Sequence, residues 1–219
     1  VNILIFFGPP GSGKGTQAKK LAQEHKLPHI ALGDILREEV RAGSKIGEQA
    51  KALMNAGKLV PDELTIELTS QRIGRPDCLA GFILDGFPRS LAQAEALDKM
   101  LADHKWEIAK VVYFDIEEDV VVGRLSGRRS CKSCGAVYHT KFNPSKQSGK
   151  CDLCGGELYQ RKDDEEGVIR QRFEVYREQT QPLIERYIRS EKLVKLDASR
   201  PIDEVYRELT RVLAPANVH

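Results

Sequence analysis

The sequence predicts an α/β fold, a five-stranded parallel sheet flanked by helices, on three observations. Five short strand-like runs, at residues 3–7, 28–32, 81–84, 111–114 and 193–196, alternate with segments of helical periodicity. The runs at 3–7, 81–84 and 111–114 are apolar throughout rather than at every second residue, as strands are when both faces of a sheet are covered. The first run leads into Gly8-Pro9-Pro10-Gly11-Ser12-Gly13-Lys14-Gly15-Thr16 and then into residues 17–22, which read as a helix. Strand, glycine loop and helix form the setting of the phosphate-binding pattern G-x-x-x-x-G-K.

In that loop the glycines let the backbone turn its N–H groups inward around phosphate oxygens. The helix that follows points the positive end of its dipole at the same place. Gly11, Ser12, Gly13, Lys14, Gly15 and Thr16 are therefore the expected phosphate-binding residues, with Lys14 reaching the terminal phosphates as a point charge. The general pattern places Ser or Thr directly after the lysine, to ligate Mg²⁺; here Gly15 stands there and Thr16 comes one later. A bare glycine turn is the alternative, disfavoured by the lysine and by both flanks.

The remaining elements follow in order. Asp34 is placed to cap a helix over 35–41, and Ala42-Gly43-Ser44 ends it. A second helix covers 46–55. Residues 58–61 connect to a third, over 63–72, capped by Asp62 and carrying an apolar stripe of Leu64, Leu68 and Ile73. Ser90 opens a helix to about His104, and residues 120–125 belong to another. A long helix is expected over 165–189, with Ile169, Phe173, Tyr176, Thr180, Leu183 and Tyr187 on one packed face and a kink at Pro182. Residues 201–213 close the fold. Ligands of such sheets sit at the C-terminal ends of the strands, where Gly8, Asp85 and Arg89 fall.

Composition narrows the function. With 219 residues, 41% hydrophobic and 30% charged, the chain has the make-up of an ordinary globular protein. No apolar run approaches the ~18 residues of a membrane span. The first strand is too short for a signal peptide and lacks its basic flank, so a cytoplasmic protein is expected. The net charge is only +2, but it is unevenly placed: residues 127–164 hold eight Lys/Arg against four Asp/Glu, which makes this insert +4 and the rest of the chain −2. A basic insert suits a polyanion, either a nucleotide or a nucleic acid.

Cys131-x-x-Cys134 and Cys151-x-x-Cys154 bring four thiolates within reach of one tetrahedral ion, the arrangement of a structural Zn²⁺; two disulfides are the alternative. Cys78, left over, reads as a small buried hydrophobe. Asp85 ends an apolar strand, where phosphate-loop proteins place the carboxylate that holds Mg²⁺; the alternative is a turn aspartate before Gly86. Arg37, Arg89, Arg124, Arg128, Arg161 and Arg172 are dispersed and gain meaning only if the fold gathers them. No Ser/His/Asp or Cys/His set is present, and the five histidines are scattered without partners. That fits phosphoryl transfer to an acceptor that is already anionic, where catalysis reduces to alignment and charge neutralisation.

Taken together, the stretches Gly8–Thr16, Gly33-Asp-Ile-Leu-Arg37, Leu59-Val-Pro-Asp62, Leu84-Asp-Gly-Phe-Pro-Arg89 with Gln93, Gly127-Arg-Arg129 and Arg161-Lys-Asp-Asp164 resemble the adenylate kinases with a long, zinc-bearing lid, over essentially the whole chain. The resemblance implies a P-loop nucleotide kinase with a core (1–30, 61–126 and 165–219), a nucleoside-monophosphate flap (31–60) and a lid (127–164). A glycine after Lys14 is normal in that family, with Mg²⁺ held by phosphates and waters and Asp85 reaching it through water. The resemblance gives Lys14, Asp85, Arg89, Arg128, Arg161 and Arg172 to catalysis. ATP would lie on the P-loop, Arg124, Arg128, Val137, Tyr138 and Arg200, with Arg124 flat on its adenine. AMP would meet Leu32, Gly33, Arg37, Lys58, Leu59, Val60, Gly86, Phe87, Pro88, Arg89, Gln93, Arg161 and Arg172. Leu32 stands where the family pattern has a hydroxyl. Gln93 would read the AMP adenine edge, although Ser90-Leu-Ala-Gln93 is also a capping box.

The expectation is thus a monomer, cytoplasmic, converting ATP and AMP to two ADP, with no nucleic-acid or membrane partner. A kinase for another monophosphate, or one using GTP, is the near alternative. An ATPase with a nucleic-acid-binding zinc ribbon is the distant one; it leaves Arg37 and Arg89 unexplained and offers only Tyr138 and Phe142 as stacking platforms.

Overall fold

The computed structural model describes residues 2–214; Val1 and residues 215–219, the outermost ends of the expected core, lie outside the described residues. The first half runs β1 (Asn2–Phe7), α1 (Lys14–His25), β2 (His29–Ala31), α2 (Leu32–Ala42), α3 (Lys45–Asn55), α4 (Asp62–Ile73), β3 (Gly81–Asp85) and α5 (Leu91–Asp103). It continues with β4 (Ile108–Asp115), α6 (Glu118–Ser126) and three short strands, β5 (Arg128–Cys131), β6 (Val137–His139) and β7 (Leu158–Tyr159). It closes with α7 (Glu166–Val175), α8 (Leu183–Arg189), β8 (Leu193–Asp197) and α9 (Ile202–Leu213).

Five strands form one sheet in the order β2-β3-β1-β4-β8, and every pairing in it is parallel. Ile5 lies beside Leu84 on one side and Val111 on the other. Alternate residues feed two cores. Ile3, Ile5, Phe7, Phe82, Leu84 and Val111 pack on one face, whereas Leu4, Phe6, Ile83, Val112 and Phe114 pack on the other. Both faces are covered, which is why these strands are apolar without alternation. The chain leaves β1 toward β2 but leaves β3 toward β4, so the crevice at the C-terminal ends of these two neighbours is the natural ligand site.

The three short strands make a separate antiparallel sheet, ordered β6-β5-β7; β5 ends on Cys131, and the connections between the strands carry Cys134, Cys151 and Cys154. Its buried core is only Cys131, Tyr138 and Cys151, flanked by Ala136 and Leu158. So small a core needs a cross-link to stay folded.

Four local expectations are corrected. The second strand stops at Ala31, and Leu32 already begins α2, so Asp34 is not its cap; Asp34 lies in the first turn, where its carboxylate accepts from Arg37. Asp62 is not the cap of α4 either. Pro61 holds that place, and the Asp62 carboxylate accepts instead from Ser90 and Gln93, tying α4 to α5. The long helix over 165–189 is two helices separated by a π-helical turn, Tyr176–Thr180, in which Gln181 N donates to Tyr176 O at 2.8 Å. The break thus precedes Pro182 rather than centring on it. Proline lacks an N–H and crowds the carbonyl four residues back, so the chain widens one turn ahead of the ring. The face from Ile169 to Tyr187 is nevertheless buried throughout. The fourth correction, to the isolation of the histidines, belongs to the site.

Candidate active site

Gly13 precedes α1 in the left-handed region, φ 89°, and no side chain caps the helix. In its first turn Thr16 N donates to Gly13 O at 3.0 Å, and the N–H groups of Lys14 and Gly15 are left for a ligand. A Cβ at Gly15 would lie 3.2 Å from Asp85 Oδ2, so the carboxylate fills the space that a larger residue after Lys14 would need. Lys14 Nζ donates to the carbonyls of Gly8 and Pro9, both at 2.8 Å, and to Ser12 Oγ at 3.3 Å. Burial pulls its pKa down to about 8; Asp85 opposes the shift, and Arg89, Arg172 and Arg128 add to it.

His29, at the start of β2, places Nε2 3.2 Å from Asp85 Oδ2, so this histidine has a partner in the site. Burial acts to raise the Asp85 pKa, but the His29 hydrogen bond and the Lys14 charge outweigh it and hold the carboxyl below its usual range. An anionic oxygen donor beside the phosphate loop fits a hard divalent cation.

The dispersed arginines do converge. Arg37, Arg89, Arg124, Arg128, Arg161 and Arg172 line one cleft with the loop residues, of about 1030 Å³. Arg89 Nε donates to Gly86 O at 2.8 Å, and the Thr180 hydroxyl of the π-helical turn donates to Arg89 O at 2.8 Å. Asp164 is fully buried; both Arg128 Nε, at 2.8 Å, and Arg128 Nη2 donate to it. Arg172 Nη1 reaches Asp163 O at 2.8 Å and Asp164 Oδ1 at 3.4 Å. Arg161 Nε donates to Ser130 Oγ at 2.8 Å. Burial, reinforced by neighbouring arginines, pulls Arg161 and Arg172 down to about 10. Cations crowded this closely are the signature of a polyanion site.

At one end of the cleft, Arg124 is fixed by the Ala198 and Ser199 carbonyls, at 2.7 and 3.0 Å, and Arg200 is paired with Asp197 and Glu208. Val137 is exposed on the cleft wall, but the Tyr138 hydroxyl turns away from it, into the cysteine cluster. At the other end Leu32, Gly33, Lys58, Leu59, Val60, Gly86 and Pro88 line the cleft. Phe87 is not brought there: its side chain is buried in the sheet's core. Gln93 lines the cleft yet is 1% exposed. Its Oε1 accepts from Arg89 N at 2.7 Å, and Nε2 donates to Asp62 Oδ1 at 2.7 Å and Thr65 Oγ1 at 3.1 Å. The capping box is half formed, since Ser90 Oγ accepts from Gln93 N while the glutamine reaches Arg89 N rather than the cap residue's own N–H.

The Sγ atoms of Cys131, Cys134, Cys151 and Cys154 all lie within 4.8 Å of one another, with Cys131–Cys154 and Cys134–Cys151 at 3.5 Å. A disulfide needs about 2 Å. A tetrahedron of Zn–S bonds places sulfurs about 3.8 Å apart. The four thiols are free and fit one structural metal ion. Asp152 N donates to the Tyr138 hydroxyl at 2.8 Å, which leaves that hydroxyl to donate to Cys151 Sγ at 3.4 Å.

Residues 6–192 match the family described as adenylate kinase. The chain belongs to the adenylate kinase family. An adenylate kinase of Archaeoglobus fulgidus is 49% identical over 210 residues, 96% of this chain and 97% of that protein. One of Methanocella arvoryzae is 52% identical over 202 residues, 92% and 94% of the two chains. One of Thermosipho melanesiensis is 48% identical over 210 residues, 96% and 98%. Within this adenylate kinase fold, the sequence reading missed three groups that shape the site. His29 and Asp85 are 56 positions apart, and nothing local pairs them. Asp163 and Asp164 stand in the Arg161-Lys-Asp-Asp164 stretch of the resemblance, but nothing in the sequence shows that they hold Arg128 and Arg172. Tyr138 itself lines the cleft, and nothing in the sequence shows that its hydroxyl serves the cysteines. No helix among the described residues is long and apolar enough to cross a membrane.

Proposed function

We propose that the family's reaction, reversible phosphoryl transfer between ATP and AMP, is performed in this cleft by alignment and charge neutralisation, with no general base. The observation that carries the reading is the convergence of Lys14 and the six arginines Arg37, Arg89, Arg124, Arg128, Arg161 and Arg172 on the loop at the C-terminal ends of β1 and β3. An acceptor phosphate has no proton to surrender, so the site needs only to hold two anions in line and neutralise charge on the moving group. Lys14, Arg128, Arg161 and Arg172 would hold the transferring group, with Arg37 and Arg89 on the acceptor phosphate. The P-loop N–H groups, Arg124, Val137, Tyr138 and Arg200 would hold ATP. Leu32, Gly33, Lys58, Leu59, Val60, Gly86, Phe87, Pro88 and Gln93 would form the acceptor pocket, Phe87 from behind. Mg²⁺ bound with ATP would neutralise phosphate charge, and Asp85 is the carboxylate suited to hold it.

Residues 31–60 and 127–164 would act as flap and lid over a core of 1–30, 61–126 and 165–219. Lid closure would exclude water from the transfer. The four cysteines would carry one Zn²⁺, closed to substrate because every position is a thiolate. A monomer in the cytoplasm, acting on ATP, AMP and ADP without nucleic acid or membrane, completes the proposal.

The test is a coupled assay of ADP formation from ATP with AMP, against ATP alone and against other monophosphates and GTP. AMP-dependent ADP formation supports the reading; AMP-independent hydrolysis, or preference for another monophosphate, overturns it. Gln93 gives a sharper local test. Its amide bonds to Arg89, Asp62 and Thr65 are those an acceptor base would compete for. Gln93→Ala should raise KM for AMP about tenfold while KM for ATP moves less, the loss of about one hydrogen bond to a buried polar partner. A lower melting temperature with both KM values unchanged would assign Gln93 to capping alone.

A further inference from the structure

The cleft wall beside Arg124 contains an exposed aromatic ring that needs explaining. Phe142 is 68% exposed, lines the cleft with Val120, Arg124 and Val137, and sits in a turn rather than in a strand or helix. A large apolar ring in a turn has no packing of its own to hold it at one angle. Here it is held by His139. Residues 139–143 close into a tight turn in which His139 N donates to Asn143 O at 2.9 Å and Asn143 N to His139 O at 3.2 Å. Inside the turn, His139 Nδ1 accepts from both Lys141 N, at 3.0 Å, and Phe142 N, at 3.1 Å. The ring also packs on Phe142 itself, with centroids 4.4 Å apart and planes at 33°.

The opposite edge of the same imidazole meets the junction between core and insert. A Cβ on Gly127 would lie 2.5 Å from His139 Cε1 and Nε2. Gly127 takes φ −86° and ψ −6°, a conformation open to any residue, so the glycine is there for the imidazole and not for the backbone. Because Nδ1 accepts two hydrogen bonds, the ring is the neutral tautomer with its proton on Nε2. That N–H is buried and faces the Gly123 and Arg124 carbonyls at the end of α6 without closing a hydrogen bond. Burial lowers the pKa of the ring, which agrees with a neutral group.

We propose that His139 is a positioning residue for the ATP side of the reaction: it sets the Phe142 ring as one wall of the donor-base pocket and locks that wall to the end of α6, which carries Arg124. The proposal rests on the donor assignment made above. An apolar ring and a guanidinium that is itself tethered to Ala198 and Ser199 are the two chemistries that hold a flat heteroaromatic base. His139 touches the elements bearing both. Its imidazole takes no part in the chemistry, since its acceptor nitrogen is already used by the backbone.

The experiment measures KM for ATP and for AMP, and kcat, in His139→Ala, His139→Asn, Phe142→Leu and the His139→Ala/Phe142→Leu double variant, with metal content and melting temperature as checks on folding. His139→Ala should raise KM for ATP about tenfold and leave KM for AMP within about twofold. His139→Asn should recover part of the loss, because an asparagine oxygen can accept from the same two N–H groups. The double variant should be no worse than the poorer single, as two residues acting through one wall couple rather than add. If Phe142→Leu leaves KM for ATP unchanged, the donor assignment of this wall fails, and the proposal with it. If Phe142→Leu raises KM for ATP but His139→Ala only lowers melting temperature, or the two effects multiply, His139 is merely structural and the proposal alone is overturned.

Discussion

Lys14→Met should lower kcat roughly a thousandfold and leave the fold intact. Lys14 is the one lysine inside the phosphate loop, and in the free protein its ammonium is parked on the Gly8 and Pro9 carbonyls and on Ser12. Phosphate oxygens are better acceptors for that charge than two carbonyls, so the ammonium moves onto the ligand when one is bound. Removing one preorganised donor from a transition-state charge costs about 10²–10³ in rate, and this donor also carries a full charge. Methionine keeps the length of the side chain. It loses three hydrogen bonds but also removes a charge that burial disfavours, as the depressed pKa shows. The far-UV spectrum should therefore match wild type and the melting temperature should move by a few degrees. Turnover within tenfold of wild type in the folded variant would remove Lys14 from the reaction.

Loss of the proposed metal has the second largest expected effect, and it falls on stability. Cys151→Ser, or stripping with a chelator, should reduce metal content from about one Zn per chain to none. The small sheet of β5, β6 and β7 has too little apolar core to stand without its cross-link. A cross-link closing a loop of this size contributes about 3 kcal/mol, which corresponds to roughly 10 °C in melting temperature for a chain of this length. The sheet should melt first while the parallel sheet persists. Activity should partly survive in the cold, because no ligand position of a four-thiolate site is open to substrate. Full inactivation of metal-free protein whose small sheet is shown to be folded would give the metal a role in the chemistry. Disulfides and no metal in protein kept reduced would refute the site.

Much of this was legible before the fold was known, for identifiable reasons. The P-loop and the cysteine knuckles are local: every group that makes them lies within a few residues of the others, so spacing alone carries the geometry. The parallel sheet was legible because burial on both faces erases alternation in β1, β3 and β4. What escaped is what the tertiary structure decides. Asp34 and Asp62 have the chemistry of helix caps, but each is drawn to a stronger partner, Arg37 in one case and the Ser90–Gln93 pair in the other. Asp164 is named in the sequence only within a matching stretch, and it is burial with Arg128 and Arg172 that makes it the joint between them. His29 reads as a lone ring until β2 pairs with β3 and brings it to Asp85. The six arginines could be proposed as a group only through family resemblance, since their spacing has no period that places them in one cleft.

The proposed transfer relies on charge and alignment and needs no general base on the protein. The most direct test is the pH dependence of the single-turnover rate at saturating ATP and AMP, set beside kcat/KM for ATP. The free protein holds Lys14 near a pKa of about 8. Its charged form is lost as pH rises through that value, so kcat/KM for ATP should fall above about pH 8. Bound phosphates raise the lysine's pKa, and no side chain has to give up or accept a proton in the transfer. The single-turnover rate should therefore be flat between about pH 7 and 9, where the acceptor phosphate is already dianionic. A single-turnover rate that climbs across that range with one ionisation would contradict the account, because it would mean that a base on the protein removes a proton after all.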